Sequence, residues 1–431
     1  MKEIKVGIIG FGTVGAGVAA NLLEHGEMIA VRTGVKPVLA GVADVDITRD
    51  RGVNVPKELL TTDSTGLIAK SDIVVELIGG TTIAKTFILE ALSQGKSVVT
   101  ANKALLAKHG VELFAAAEKT GARIGYEASV AGGIPIIKAL REGLAANRIN
   151  KIYGIMNGTC NYILTRMERE GLDFEPILKD AQQLGYAEAE PSLDIDGFDT
   201  AHKTAILASL AYGEWFGMDP LYIEGIRDIS LTDLRFADEL GYRIKLLGII
   251  KQDADGDIGI RVHPTLISKK ALLADVSEVF NAVMVNGDYV GNTMFYGRGA
   301  GREATASAVV ADIIDISRGM ADGCRNSIPA FLPGKLFRGI LPMAKTENRY
   351  YLRIQVKDEP GVIARMSAIL GDKGISISSF IQKEGQSGDN VSLMILTHLT
   401  REELIKGAIG EIEKMDQVRE KVKLFRIEDI S

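Results

Sequence analysis

The stretch GIIGFGTVG follows an apolar, β-branched run at the start of the chain and spaces Gly10, Gly12 and Gly15 as G-x-G-x-x-G. Few architectures satisfy that pattern. A strand must enter a tight turn, the turn must let a pyrophosphate approach its backbone, and a helix must begin at once with its N-terminus facing the phosphates. The segments that follow agree. PVLAGVAD, DIVVELIG, KSVVTAN and ARIGYEAS are short, apolar and β-branched, as buried parallel strands should be. TFILEALSQG and LFAAAEKTG between them are amphipathic and close on glycine, a helix C-cap signal. The alternation predicts an α/β fold, a Rossmann-like doubly wound parallel sheet over residues 1–130 that binds a dinucleotide. Cofactor choice stays open. Asp44 after the second strand would accept from a ribose 2′-hydroxyl, whereas Arg49 and Arg51 would receive a 2′-phosphate.

At 431 residues the chain has room for about three domains on the usual ~150-residue prior. From residue 131 longer helical segments (134–146, 161–170, 174–184, 198–212, 233–240) mix with strands, which predicts an α+β second domain over 131–300. The small-residue helix in 300–330 is expected to pack back on the first domain. Residues 331–349 carry two prolines and read as a linker, so a cut there should leave an active core. Residues 350–431 read as strand, helix, strand, strand, helix, strand. A net charge of −6 argues against nucleic acid as a partner. No apolar run approaches the ~18 residues of a membrane helix, and the N-terminus has no secretory pattern. The two cysteines, Cys160 and Cys324, have no CxxC spacing, so a reducing cytoplasm is the expected location.

Chemistry concentrates in GYAEAEPSLDIDGFDTAHK, which holds Glu188, Glu190, Asp194, Asp196 and Asp199. An acidic run is ordinarily a solvated loop. Here Gly197-Phe198 opens a helix of small and apolar residues, and Asp199 precedes Lys203 by four, the better orientation for a helical ion pair. A lysine held by a carboxylate is what proton transfer near neutral pH requires. An exposed surface pair satisfies the same spacing. Lys103 in NKALLAKHG follows a strand of the first domain, at the carboxyl edge where such sheets bind ligands. In EASVAGGIP, Gly132-Gly133 and Pro135 suggest an irregular turn with free carbonyls beside Glu127. Oxygen-only ligation suits a hard cation, although pattern alone reads first as a domain-joining turn. Cys160 has no histidine near it in sequence and reads as a small buried thiol.

Taken in order and spacing, GFGTVG, TANK, EASVAGGIP, NGTCNYI, LGYAEAEPSLDIDGFDTAHK and YGRGAG resemble the homoserine dehydrogenase family over residues 1–330. The resemblance implies NAD(P)-dependent interconversion of L-aspartate 4-semialdehyde and L-homoserine, in threonine and methionine biosynthesis. By motif, Lys203 is then the proton donor and acceptor and Lys103 the second active-site lysine, beside cofactor and substrate. Glu188 binds the substrate's amino end, and Asp194 and Asp199 line the pocket. Gly10, Phe11, Gly12, Thr13, Val14, Gly15 and Gly301 match cofactor positions. A structural sodium ion would take Glu127 and the carbonyls of Val130, Gly132 and Ile134. Residues 350–431 resemble the ferredoxin-like ACT domain through VKDEPGVIARMSAILGDKGISISSFIQ. That implies edge-to-edge pairing, a homodimer or homotetramer, and L-threonine as effector. No aspartokinase-like segment precedes the dehydrogenase, so the monofunctional form is expected. Two alternatives stand beside this reading: a reductase of another small aldehyde or imine, and a non-catalytic amino-acid sensor that kept the fold. A cysteine-dependent acylating enzyme lacks its cysteine–histidine pair.

Overall fold

The computed structural model describes residues 2–323, 329–331, 333–382 and 390–430. Cys324 lies outside them, as does residue 383, where the second strand expected in the C-terminal unit (375–383) ends. The first domain is a six-stranded parallel sheet in the order β3–β2–β1–β4–β5–β6, the doubly wound arrangement with its switch point beside β1. Its strands are β1 (Lys2–Ile9), β2 (Val35–Ala43), β3 (Leu60–Thr61), β4 (Ile73–Glu76), β5 (Ser97–Thr100) and β6 (Ile124–Gly125). β3 has two residues, too few to leave a periodic signal in sequence. The helix Arg302–Asp322 lies on the helix Thr13–Thr33, and its Ala306, Val309, Val310 and Ile313 share one core with Ile4, Val6, Val18 and Leu22.

The second sheet is continuous through the rest of the chain. Its strands are β7 (Ile149–Ile155), β8 (Tyr222–Ile223), β9 (Tyr242–Gln252), β10 (Ile258–Ser268), β11 (Phe280–Gly287), β12 (Gly291–Arg298), β13 (Glu347–Lys357), β14 (Ile377–Gln382), β15 (Asn390–Thr397), β16 (Thr400–Arg401) and β17 (Lys423–Glu428). They run β12–β11–β7–β9–β10–β17–β13–β15–β14, with β8 on β10 and β16 on β13. The C-terminal unit has the expected β-α-β-β-α-β order with helices Val362–Asp372 and Glu402–Ile412. Its last strand, however, pairs in parallel with β10, Thr265 opposite Arg426 and Ile267 opposite Glu428. The expected helix over 134–146 is a single turn, Ile136–Lys138, followed by a wider turn at Ala139–Gly143.

The segment expected to be a linker is held to the second domain. Gly334 and Leu336 N–H groups donate to Gly213 and Tyr212 carbonyls, Arg338 N–H to Gly256, and Leu341 N–H to Ile258. Beyond it, Tyr351, Met394, Leu396, Phe425 and Ile427 of the C-terminal unit pack in one core with Leu246, Val262 and Leu266. Arg261, 3% exposed, donates to the buried Glu428 carboxylate at 2.6 Å.

A cut after Lys345 would therefore expose an apolar sheet face and remove the carboxylate partner of Arg261. The chain ending there is expected to melt below the full chain or to aggregate, measured by thermal denaturation with light scattering. A truncated chain that melts with the full one would contradict this.

Candidate functional site

Asp199 sits in the first turn of the helix Phe198–Tyr212, whose N-cap, Gly197, adopts φ 88°. Its carboxylate is 5% exposed and serves three donors. Oδ1 faces Lys103 Nζ at 3.1 Å, and Oδ2 accepts from Lys203 Nζ at 2.7 Å and from Asn157 Nδ2 at 2.8 Å. Burial pushes this carboxyl up, but the charges of Lys203 and Lys103 outweigh burial and hold it well below the usual range. The pair is thus buried, and the surface-pair alternative is excluded. Lys203 Nζ also donates to the Met156 carbonyl at 2.6 Å, which fixes the ammonium from two sides.

Lys103 arrives from the other domain. Asn102 caps its helix, Lys103–Thr120, by accepting from Leu105 N–H, and Asn102 Nδ2 donates to the Gly80 carbonyl at 2.6 Å. Behind it, buried Glu76 accepts from Thr100 Oγ1 at 2.7 Å and from the Ile78 and Gly79 N–H groups. Burial pushes the Glu76 carboxyl up, and those hydrogen bonds oppose the shift. Glu76 thereby ties the turn after β4 to the strand that delivers Lys103.

Asp194 stands on the other side of Asn157, whose Nδ2 donates to Asp194 Oδ1 at 2.7 Å, while Thr159 Oγ1 donates to Oδ2 at 3.2 Å. Burial and the neighbouring Asp199 push the Asp194 carboxyl up. Asn157 Oδ1 accepts from Cys160 N–H and so caps the helix Gly158–Glu170. Sequence reasoning passed over Asn157, Glu76 and Thr159. For Asn157 the available signal was its place immediately before a helix, in NGTCNYI. Glu188 is exposed, and among the described residues its carboxylate has no hydrogen-bond partner. Cys160 is fully buried, with its thiol against the Asp194 carbonyl, and burial pushes that thiol well up, which makes it inert.

In the glycine turn, Gly10 adopts φ 104°, open space surrounds the position of a Cβ on Gly12, and a Cβ on Gly15 would collide with the Gly10 carbonyl. The helix Thr13–Thr33 has no side-chain cap and no acid in its first turn, so its leading N–H groups are free for an anion. Thr13 is exposed and Val14 half-buried, whereas the Phe11 side chain is buried in the core. Phe11 N–H donates to Asp44 Oδ2 at 2.6 Å, and Arg51 lies 3.9 Å from Asp44 Oδ1. Gly301, at φ 111°, opens the helix Arg302–Asp322. The turn at Val130–Ile134 packs on the segment before it. Gly133 N–H donates to the Arg298 carbonyl, and a Cβ on Gly132 would lie 2.5 Å from the Gly299 oxygen. Glu127, 4% exposed, accepts from Ile137 and Lys138 N–H groups at 2.8 Å each.

This geometry has close counterparts. The family model described as "Homoserine dehydrogenase, NAD binding domain" matches residues 10–127, "Homoserine dehydrogenase" matches 135–314, and "ACT domain" matches 350–417. A homoserine dehydrogenase of Neisseria gonorrhoeae is 47% identical over the whole of both chains. The crystal structure of one from Thiobacillus denitrificans is 46% identical, covers 100% of this chain and 99% of its own, and superposes with a TM-score of 0.94. A hyperthermophilic archaeal homoserine dehydrogenase in complex with NADPH is 29% identical, with a TM-score of 0.61, and covers 73% of this chain and 98% of its own. Full-length identity, three matching domains and the doubly wound sheet with its glycine turn agree. The chain belongs to the homoserine dehydrogenase family and is an NAD(P)-dependent oxidoreductase acting on a CH–OH group.

Proposed function

We propose that Lys203, Lys103 and Asp199 carry out the proton chemistry of L-homoserine and L-aspartate 4-semialdehyde interconversion, and that Asp194 and Glu188 bind the substrate. The observation behind this is the single Asp199 carboxylate that holds both lysines at 3.1 and 2.7 Å. The glycine turn and the uncapped helix start fit a nicotinamide dinucleotide, held through Gly10, Phe11, Gly12, Thr13, Val14 and Gly15, with Gly301 and Lys103 beside it. When bound, that group supplies or accepts the hydride at the substrate carbon. In the reducing direction Lys203, or a water it holds, gives its proton to the oxygen that becomes the homoserine hydroxyl. Asp199 keeps the ammonium oriented and remains ionised. Lys103, charged and next to the same oxygen, stabilises developing negative charge. Both lysines reach a site formed where the two domains meet.

Glu188 suits the substrate's ammonium group because it is an exposed carboxylate on the acidic loop with no partner among the described residues. Glu127 is a buried carboxylate with no ion-pair partner among the described residues, and burial pushes it up. Together with the Val130, Gly132 and Ile134 carbonyls it offers ligands of the oxygen-only type that a sodium ion takes. That ion would brace the inter-domain turn and take no part in the chemistry. The C-terminal unit is read as a regulatory amino-acid site with L-threonine as effector and pairing between copies of the chain. The ion and the effector are checked together by assaying with sodium replaced by a large organic cation and with added threonine. A lower rate in each case is expected, and indifference would remove that role.

Three substitutions separate the assignments. Lys203→Ala is expected to cut turnover by roughly 10²–10⁴, the contribution of a positioned acid–base group, with cofactor binding retained. Lys103→Ala should be severely impaired as well. Glu188→Gln should raise the KM for semialdehyde with turnover little changed. Steady-state kinetics with cofactor titration reads all three, and near-normal turnover in Lys203→Ala would overturn the central assignment.

A further inference from the structure

Between the acidic loop and the C-terminal unit runs one segment, residues 222–233, that is bound to both. On the C-terminal side, Arg426 of β17 is 1% exposed and donates to Glu224 Oε2 at 2.6 Å and to the Tyr222 hydroxyl at 3.1 Å. Tyr222 in turn donates to Glu224 Oε2 at 2.7 Å. Lys423 Nζ donates to the Asp228 carbonyl at 3.1 Å, and Arg353 pairs with buried Asp233 at 2.5 Å. On the site side, Ile226 N–H donates to the Ile195 carbonyl at 2.8 Å. Arg227 grips Asp196 and the Ser192 hydroxyl, the latter at 2.6 Å. Gly225 lies so close that a Cβ there would collide with the Ile195 carbonyl oxygen and the Asp196 backbone. Ser192–Ile195 is the helical turn that carries Asp194, and the helix that carries Asp199 begins at Phe198.

We propose that Glu224 is a positioning residue for substrate binding: anchored by Arg426, it holds residues 222–228 against the Ser192–Ile195 turn and so sets where Asp194 stands. The pair is built for position more than for stability. Arg426 keeps a second, buried partner in Glu402, at 2.6 Å, so loss of the Glu224 charge strands no guanidinium. Glu224 itself is about one-third exposed, and such a pair adds little to stability. A change in the C-terminal sheet that moves β17 would reach Asp194 through two ties, Arg426 to Glu224 and Ile226 to Ile195. The inference rests on Asp194 belonging to the substrate pocket.

The test compares full-length Glu224→Gln, Gly225→Ala and Asp194→Asn with the parent chain, measuring kcat, KM for semialdehyde, KM for the cofactor and the melting temperature. Glu224→Gln is expected to raise the semialdehyde KM about two- to five-fold, the worth of a partly exposed pair. Its kcat, cofactor KM and melting temperature should stay close to the parent's. Gly225→Ala should raise the semialdehyde KM at least as far. If Gly225→Ala does not fold, Glu224→Gln decides alone. An increase with Asp194→Asn but none with Glu224→Gln overturns this inference and leaves the pocket reading intact. No increase with Asp194→Asn overturns the pocket reading, and the inference with it. Equal rises in both KM values with a lower melting temperature mark a merely structural pair and also overturn it.

Discussion

One carboxylate shared by two lysines from different domains organises the proposed active site. Lys103 leads out of the parallel sheet and Lys203 lies on a helix of the second domain, and the buried Lys203 would not stand there unpaired, because a desolvated ammonium without a counter-charge is costly. Asp199 offsets that cost for Lys203 and draws the half-buried Lys103 to the same carboxylate. Its own burial would be unfavourable but for three donors and two positive charges. The arrangement is closed on the far side by Asn157, whose two amide hydrogens join Asp199 to Asp194 and whose oxygen caps a helix. Each of these five side chains has a partner, which is the condition under which a buried polar network rigidifies a site.

Much of this was legible in the residues because it is local. The strand, the G-x-G-x-x-G turn and the helix follow one another within a few positions, and Asp199 and Lys203 are one helical turn apart. What sequence could not supply is long-range. Nothing in NKALLAKHG identifies Asp199, 96 positions on, as the partner of Lys103. Asn157 looks like any helix cap until the fold brings both aspartates to its amide. Glu76 reads as the last residue of a strand, yet it fastens the turn after β4 to the lysine strand. Glu188 was marked by the motif it shares with a family. By itself it is an exposed acid on an acidic loop.

The C-terminal unit shows the same limit at the scale of a domain. Its internal order was readable from periodicity, and two prolines before it suggested a tether. Periodicity carries no information about which edge of one sheet meets another, so the parallel pairing of β10 with β17 was invisible. That pairing makes the catalytic and C-terminal strands one sheet and replaces a flexible connection with buried ion pairs, Arg261 with Glu428 and Asp233 with Arg353. A stiff connection of this kind lets a small displacement at one end be felt at the other, because packed sheets and buried pairs do not deform continuously.

The most direct test of the shared-carboxylate account is a kinetic double-mutant cycle between Asp199 and Lys203, reading kcat/KM for semialdehyde reduction in Asp199→Ala, Lys203→Ala and the double variant. Groups that act as one unit are far from additive, so the double variant should be little worse than the poorer single one. Losses that multiply across the two substitutions would mean that Asp199 and Lys203 act independently, and would contradict the account.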